Sequence, residues 1–327
     1  MLNDEEKIQF LREIVEIYSP TGKEEGIARF LVESFESFGV AAYIDSAGNV
    51  IAEKRGSGPR ILLAGHMDTV PGVIPVRIEN GELWGRGSVD AKGPLATFFF
   101  AFIESDANLT FAGLVEEEGF SKGVRNLDIE RPDFIVIGEP SGTSGVTIGY
   151  KGSLTLRIEK KVEKFHGSVA NKGAAELLIE DWLKIRSEFK DGWDEVSGRI
   201  VEFHAWERDF DFYGEMRINL RTPLGYDPPK IGEILDFVSA YEVSPRSPLV
   251  RAFVRAIRNY GLKPVLKKKS GTADMNILAP RFGVDAVAYG PGDSRLDHTP
   301  YEHINLKEYL LAIEVLKDSL KNLSINP

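Results

Sequence analysis

The chain has 327 residues and a formal net charge of −10, from 40 lysines and arginines against 50 aspartates and glutamates, with five histidines and no cysteine. Without cysteine there can be no disulfide framework, thiolate zinc site, iron–sulfur cluster or cysteine nucleophile, so any metal must be held by histidine and carboxylate side chains. The acidic balance disfavours nucleic-acid binding, and no stretch approaches the roughly 18 apolar residues of a membrane span. We therefore expect a cytoplasmic protein that binds neither nucleic acid nor membrane.

The first part of the chain predicts helices that alternate with strands. Apolar residues recur at three- and four-residue intervals over 8–18 and predict a helix that stops before Pro20. Thr21 and Glu24 match a capping box, which predicts a second helix that ends at Gly39. Further apolar segments predict a helix at 94–103 and strands at 40–44, 50–53, 61–64, 109–115 and 134–137. This alternation is typical of an α/β sheet with layers on both sides.

After Gly149 the pattern changes to that of a smaller domain. Residues 153–163 alternate strictly between apolar and polar, which is typical of an antiparallel strand with one exposed face. A predicted helix at 174–189 and predicted strands near 199–205 and 215–221 follow. This segment is therefore predicted to be a small α+β domain inserted into the first.

The last part of the chain returns to the earlier pattern. From Ser244 onward there are long helical segments and a buried strand at 284–289. We therefore predict two domains. Residues 1–151 and 244–327 form a catalytic domain, and residues 152–243 form a lid or dimerisation domain.

Five polar clusters follow strand-like or turn segments, where open α/β sheets have their ligand crevices. Each cluster alone has an ordinary structural explanation, such as a hydrogen-bonded histidine, a solvated glutamate face or a tight turn. The clusters are 65–70 (GHMDTV), 85–93 (GRGSVDAKG), 116–119 (EEEG), 138–141 (GEPS) and 296–300 (LDHTP). Together they supply two imidazoles and several carboxylates, which is a donor set that suits paired zinc, cobalt or manganese ions.

These motifs, in this order, resemble the dinuclear zinc hydrolases of the ArgE/DapE/aminoacylase/carboxypeptidase family over almost the full chain. The segments GHMDTVPG, LWGRGSVDAKGPLA, IGEPSG with GYKGS, and SGTADMN most resemble the branch that releases lysine or ornithine from the acidic amino-group carrier protein LysW. The resemblance implies a zinc-peptidase-like α/β catalytic domain with a mixed sheet, and a small α+β lid. It also implies hydrolysis of a linear amide, two divalent ions (zinc, with cobalt as the alternative), LysW as the partner and a homodimer.

The family pattern also implies a ligand set for the two metals. Asp90 would bridge both ions, and the peptide bond that follows it would be cis. His66 and Glu139 would complete one site, and Glu118 and His298 would complete the other. The resemblance therefore assigns all five ligands to the polar clusters.

The same pattern implies the groups that act beside the metals. Glu117 would be the general base, and Asp68 would orient His66. Since the segment Glu116-Glu117-Glu118 usually begins with Asp in the family, a slip by one residue stays open, although the position of Gly123 favours Glu117 as the base.

Residues of the inserted domain and of one later loop resemble the family's substrate-binding groups. His166 would reach from one subunit into the other's site and stabilise the oxyanion, unless it is only a turn histidine. Arg221 would bind a substrate carboxylate, unless it is a surface arginine at a strand end. Asp274 either belongs to the substrate loop or only caps the next helix. The predicted substrate-loop residues are Ser270, Gly271 and Thr272.

Residues 244–269 contain eight basic residues and no acidic one. Arg251, Arg255 and Arg258 share one face of a predicted helix. The segment is either a solvated helix face or a docking surface for an acidic protein substrate.

Other functions stay open at this point. Within the same family the chain could be an acetylornithine deacetylase, a succinyl-diaminopimelate desuccinylase or a dipeptidase. In a different class, it could be a catalytically silent binding protein built on the same scaffold.

Overall fold

The structure is a computed structural model that describes residues 3–325, and the chain divides into two compact units. The first unit takes the residues up to Ile148, Val243–Lys267 and the residues from Ala273 onward, and the second takes Gly149–Glu242 and Lys268–Thr272. The sequence assigns 268–272 to the larger domain, whereas the structure groups it with the smaller unit. Hydrogen bonds explain the difference, because the backbone N–H of Lys151 donates to the carbonyl of Lys269 in the same unit. The lid or dimerisation role of the smaller unit stays a prediction.

Sixteen strands and eight helices make up the part of the chain that the structure describes. In chain order they are α1 (Asp4–Glu16), α2 (Glu25–Ser37), β1 (Ala42–Ile44), β2 (Val50–Lys54), β3 (Ser57–His66), β4 (Arg77–Glu79), β5 (Glu82–Trp84), α3 (Lys92–Glu104), β6 (Ala107–Leu114), α4 (Lys122–Arg125), β7 (Phe134–Gly138), β8 (Gly145–Tyr150), β9 (Gly152–Glu163), α5 (Ala174–Ser187), β10 (Ser197–Arg208), β11 (Asp211–Thr222), β12 (Glu233–Val238), β13 (Tyr241–Glu242), α6 (Pro248–Asn259), β14 (Val265–Lys269), α7 (Met275–Phe282), β15 (Asp285–Tyr289), β16 (His303–Asn305) and α8 (Leu306–Ile325). Among the described helices, none combines the length and the apolar character that crossing a bilayer requires.

The large sheet of the first unit is mixed, as the sequence predicts. Seven of its nine strands lie wholly or largely in the first unit in the order β1-β2-β6-β3-β7-β15-β8, and β14 also pairs with β8. The neighbours β6, β3, β7 and β15 run parallel, whereas β1, β2 and β8 pair antiparallel. Helix α3 is buried along almost its whole length, which explains why residues 94–103 are apolar except for Thr97. The predicted α/β class with a large mixed sheet is confirmed.

Three parallel strands of this sheet end beside the polar clusters. His66 is the last residue of β3 and pairs in register with Leu114 at the end of β6, while Ala64 pairs with Ile137 near the end of β7. Since parallel strands deliver their carboxyl ends to the same edge, the residues that follow them converge. The apolar runs of the strands thus determine where the site lies.

The predicted capping box of the second helix is wrong. Helix α2 has no side-chain cap, because Thr21 donates its hydroxyl to Asp68 and Glu24 accepts the N–H of Gly22. A capping box does occur at the first helix, where Asn3 and Glu6 bond reciprocally. The side chains that precede α2 are used by the candidate site instead.

The second unit contains an antiparallel sheet of order β10-β11-β9-β12, with α5 packed against β9 and β11. Strand β9 alternates between buried and partly exposed residues over its first half, as its sequence pattern predicts. The buried core of this unit consists of Leu154, Leu156, Ile158, Leu178, Met216, Ile218 and Leu220. Strand β10 lies at the edge of the sheet and is largely exposed.

A buried ion network joins the first and last helices to α3. Oε2 of Glu104 accepts from Lys7 at 3.1 Å and from Lys317 at 2.7 Å, and the side chains of Glu104 and Lys7 are only 4% and 7% exposed. Burial alone would raise the pKa of Glu104, but the hydrogen bonds from Lys317 and Lys7 outweigh it and hold the pKa below its ordinary value. The ionised carboxylate therefore stabilises the folded state.

We expect Glu104→Gln to lower the free energy of unfolding by about 3 kcal/mol at pH 7, because it removes the buried anion that both lysines share and leaves them only the more exposed Glu314. Since the pKa of Glu104 is lower in the folded state, its contribution is complete above the ordinary carboxyl pKa and is lost as pH falls through the folded pKa. Urea unfolding at several pH values measures this. The exposed Glu36→Gln is the matched control, and an equal loss for both variants at pH 7 would contradict the prediction.

Candidate metal centre and active site

The described residues contain three overlapping groups of side chains with metal-ligating atoms, and two of these groups contain Asp90. One group is His66, Asp90 and Glu139, and the other is Asp90, Glu118 and His298. Within each group the potential ligand atoms lie within 4.8 Å of one another. The five predicted ligands therefore converge on one region of the first unit, with Asp90 common to both groups.

Asp90 lies between the two imidazoles. Its Oδ1 is 3.3 Å from Nε2 of His66, and its Oδ2 is 3.0 Å from Nε2 of His298. The same His298 nitrogen is 2.8 Å from Oε1 of Glu118, while Oε1 of Glu139 is 4.0 Å from Nε2 of His66. One carboxylate thus has one oxygen facing each histidine, which is the arrangement that a bridging ligand requires. The peptide bond after Asp90 is cis, as the family pattern implies.

The pKa values of these groups show that the site attracts positive charge. Burial opposes protonation of His66, but hydrogen bonds to Asp68 and Asp90 raise its pKa well above the ordinary value. Hydrogen bonds to Asp90 and Glu118 raise the pKa of His298 to about 10. Burial would raise the pKa of Asp90, yet the bonds from His298 and His66 lower it. Imidazole and carboxylate donors in a site of this negative potential fit divalent zinc or cobalt.

Glu117 belongs to the third group, in which its carboxylate lies within 4.8 Å of the ligand atoms of His66 and Glu118. Burial raises the pKa of Glu117 well above its ordinary value, against the influence of His66. The neighbouring carboxylates of Glu139, Asp274 and Glu118 raise it further. A carboxylate with a raised pKa is suited to accept a proton near neutral pH.

Asp68 acts on two segments of the site. The Nδ1 of His66 is 2.9 Å from the Asp68 carbonyl and 3.5 Å from its carboxylate. The carboxylate accepts the backbone N–H groups of Glu117 at 3.0 Å and Glu118 at 3.1 Å, and the hydroxyl of Thr21 at 2.8 Å. His66 is thus oriented chiefly by a backbone oxygen, while the Asp68 side chain holds the glutamate loop.

The contacts of Glu116, Glu117 and Glu118 show which of the three glutamates face the cluster of metal-ligating side chains. The buried Glu24 accepts the backbone N–H of Glu116 at 3.1 Å, and the Glu116 side chain pairs with Lys122 at 3.2 Å. Glu117 and Glu118 instead face His66. The sequence assigned Glu24 to a capping box and did not predict this contact, because its partner lies 92 residues away and leaves no local pattern.

Asp274 lies at the start of α7 but forms no side-chain cap there. The residue is buried, and its Oδ1 forms no hydrogen bond within the described chain. Burial raises the pKa of Asp274 to about 7, with a further contribution from Asp68. The capping interpretation is therefore wrong, and Asp274 is a further buried carboxylate that interacts electrostatically with His66 and Asp68.

The predicted substrate residues lie in the second unit. Arg221 donates through Nη1 to Oγ1 of Thr272 at 2.8 Å, and the Thr272 hydroxyl donates to the carbonyl of Lys151. The structure thus brings Arg221 and one residue of the predicted loop together, with Ser270 exposed and Gly271 partly buried next to them in sequence. His166 is exposed, and its Nδ1 is 2.7 Å from the Ser168 hydroxyl.

Known proteins share both the sequence and the fold. The model of the family described as "Peptidase family M20/M25/M40" matches residues 62–322. A Thermococcus kodakarensis protein, named provisionally as a LysW-lysine/LysW-ornithine hydrolase, is 71% identical over 99% of this chain and 94% of its own length. The LysW-lysine hydrolase of Deinococcus radiodurans is 40% identical over 96% of both chains. The crystal structure of a tripeptidase from Staphylococcus aureus is 19% identical, with a TM-score of 0.82 over 100% of both chains.

Proposed function

The chain belongs to peptidase family M20/M25/M40, and on that basis we propose that it releases lysine, with ornithine as a second product, from the C-terminal glutamate of the carrier protein LysW. The names of relatives at 71% and 40% identity support this substrate. The arrangement of Asp90 between His66 and His298 carries the proposed chemistry, because it matches a pair of metals that share one carboxylate. A cytoplasmic location stays a prediction.

In this proposal two divalent ions, zinc or alternatively cobalt, are shared by the five clustered side chains. His66 and Glu139 would hold one ion, Glu118 and His298 would hold the other, and Asp90, which belongs to both groups of donors, would serve both. When bound, such ions supply Lewis acidity, which polarises an amide carbonyl and makes a water molecule more acidic. The Nδ1 of His66 donates to the Asp68 carbonyl, which leaves the lone pair of Nε2 directed at the site.

Glu117 is the proton carrier of the proposed reaction. Its carboxylate removes a proton from the attacking water and then delivers it to the leaving amine nitrogen. The raised pKa of Glu117 supports this role, since a more basic carboxylate accepts the proton more readily. Its backbone N–H is held by Asp68, so the carboxylate keeps a fixed direction.

Two basic groups of the second unit would act on the substrate. The Arg221 guanidinium binds the α-carboxylate of the released amino acid, and its Nη1 is held by Thr272. His166 stabilises the oxyanion in the site of the other subunit of a homodimer. The exposed edge strand β10 supports the dimer, because its free backbone edge and its exposed side chains of Val201, Phe203 and Trp206 can pair with a second copy.

The basic segment 244–269 provides a surface for an acidic carrier. Lys267 donates to the Ser141 carbonyl and Lys268 pairs with Glu242. Arg251, Arg255 and Arg258 are exposed on α6, and none of the three has an ion-pair partner within residues 3–325. We assign the docking surface to these three arginines, which would attract an acidic protein from solution.

The substrate assignment predicts rapid hydrolysis of LysW-lysine and LysW-ornithine, and at least 100-fold lower kcat/KM for acetylornithine, succinyl-diaminopimelate and dipeptides. Glu117→Gln should bind zinc or cobalt with unchanged stoichiometry but lose about 10³-fold or more in kcat, because the water keeps its proton. Amino-acid release with each metal, beside metal analysis, measures both effects.

Preference for a free acyl amino acid would instead indicate a deacetylase, a desuccinylase or a dipeptidase. A zinc-treated protein that holds no metal and hydrolyses nothing would indicate a silent binding protein. Normal turnover by Glu117→Gln would remove that residue from its role.

The docking surface predicts that added salt lowers kcat/KM for LysW-lysine but not for a small acyl-lysine. The double variant Arg251→Glu/Arg255→Glu should lower kcat/KM for the carrier substrate about tenfold and leave the small substrate unaffected. The exposed pair Lys307→Glu/Lys321→Glu on α8 is the matched control. Equal loss with both substrates, or equal loss in the control, would reject the surface.

The shared site predicts complementation between two inactive variants. Glu117→Gln keeps its His166, and His166→Ala keeps its Glu117, so each mixed dimer has one complete site. When the two variants are produced together in equal amounts, about half of the dimers are mixed and one of the two sites in each mixed dimer is complete. We therefore expect about a quarter of wild-type activity. No recovery from demonstrated mixed dimers would contradict the role of His166 in the partner's site.

A further inference from the structure

Glu302 is fully buried in the first unit, immediately before β16, and both of its carboxylate oxygens are used. Its Oε1 accepts the backbone N–H of Val89 at 2.9 Å and that of Asp90 at 3.0 Å. Its Oε2 accepts from Nη1 of Arg86 at 2.8 Å. The Glu302 carboxylate thus bonds to the main chain at Asp90 and does not bond to the Asp90 side chain.

We propose that Glu302 is a positioning residue that fixes Asp90 between the two metal sites by holding the N–H groups of Val89 and Asp90, with Arg86 fixing Glu302 in turn. The inference rests on the proposed role of Asp90 as the shared ligand. Glu302 contacts neither substrate nor metal in this role. It acts on metal affinity through the direction of the Asp90 carboxylate.

The geometry of Asp90 explains why such a residue is needed. Its two oxygens face two histidines, at 3.3 Å and 3.0 Å, so a rotation of the Asp90 backbone would move both oxygens at once. The other side of the loop is held where the N–H of Lys92 donates to the Gly87 carbonyl at 2.8 Å. Glu302 supplies the matching restraint at Asp90 itself. Fixed ligands of this kind determine metal affinity, because a misdirected donor loses contact.

Arg86 determines which oxygen of Glu302 remains available. Its side chain is only 10% exposed, and its Nε donates to the Gly72 carbonyl at 3.2 Å. Because Nε of Arg86 is anchored to the backbone, Nη1 is directed at Oε2 of Glu302. The remaining Oε1 is therefore left to accept two neighbouring N–H groups, and the buried carboxylate has a countercharge.

Glu302 also connects the two halves of the candidate centre. It follows the ligand His298 by four residues, and its own backbone carbonyl accepts the N–H of Gly85 at 3.3 Å. The next residue, His303, pairs with Trp84 between β16 and β5. The segment that carries His298 is thereby fixed to the segment that carries Asp90.

If the Arg86–Glu302 ion pair only stabilised the fold, the expected result would be different. Loss of a buried pair would lower stability, but once the protein is folded its metal affinity would stay normal. A positioning role requires that metal affinity fall in a folded variant. The readout must therefore be metal binding by the metal-free protein, with thermal unfolding as a check on folding.

The test titrates metal-free wild-type protein and variants with Co²⁺, followed by visible absorbance and chelator competition. We expect Glu302→Ala to weaken Co²⁺ binding 10–100-fold. Glu302→Gln, which keeps one oxygen for the two N–H groups, should lose less than tenfold. In the assay with carrier substrate, kcat should fall in Glu302→Ala while KM changes by less than threefold. Glu308→Gln, an exposed glutamate on α8, is the matched control and should behave as wild type.

A folded Glu302→Ala with wild-type Co²⁺ affinity would overturn the proposal. If that variant does not fold, Glu302→Asp decides, since it keeps the charge but is one methylene too short to reach both N–H groups; wild-type affinity there would also overturn it. Failure to hydrolyse LysW-lysine with normal Co²⁺ binding would reject the substrate and leave the role of Glu302 intact. Absence of Co²⁺ binding by the wild type would overturn both.

Discussion

Repulsion between carboxylates is the constraint on which the rest of the site depends. Asp90, Glu117, Glu118 and Glu139 each have a carboxylate oxygen within 4.8 Å of an imidazole nitrogen of His66 or His298. Two like charges 4 Å apart repel by about 4 kcal/mol at an effective dielectric constant of 20. Without compensating charge, this repulsion would favour conformations in which the carboxylates point into solvent. Their convergence therefore requires positive charge between them and a main chain that cannot relax.

The main chain is restrained by a second set of carboxylates outside the donor set. Glu24 accepts the N–H of Glu116, and Asp68 accepts those of the next two glutamates. Glu302 does the same for Val89 and Asp90. Each of these acceptors is buried, where a charged hydrogen bond to a backbone N–H is stronger than in water. The loops are thus held by their backbone, which leaves their side chains available for metals.

The polar clusters and the sheet could be predicted from the sequence because both depend on local pattern, whereas the ligand assignment came from the family resemblance and stays a prediction. Apolar strands followed by polar clusters indicated β3, β6 and β7, and the parallel register then brought the clusters together. The carboxylates that hold the backbone could not be predicted in this way. Glu302 and Asp90 are 212 residues apart, and an acceptor of backbone N–H groups requires no particular sequence around it. The small sheet of β4, β5 and β16 was also missed, since three-residue strands are too short to show an alternating pattern.

The same electrostatics links metal binding to protons. The pKa values of His66 and His298 are both raised by neighbouring carboxylates, which favours protonated rings where no cation is bound. A divalent ion must therefore release protons when it binds, and acid favours the protonated site. The protonated imidazoles supply the positive charge that the carboxylates require, and they do so in nearly the positions that ligands would take. Because Glu24, Asp68 and Glu302 act on backbone N–H groups, and His66 is held through Nδ1 rather than Nε2, the loops can stay in place whether the donor atoms carry protons or metals, which is the condition for a preorganised centre.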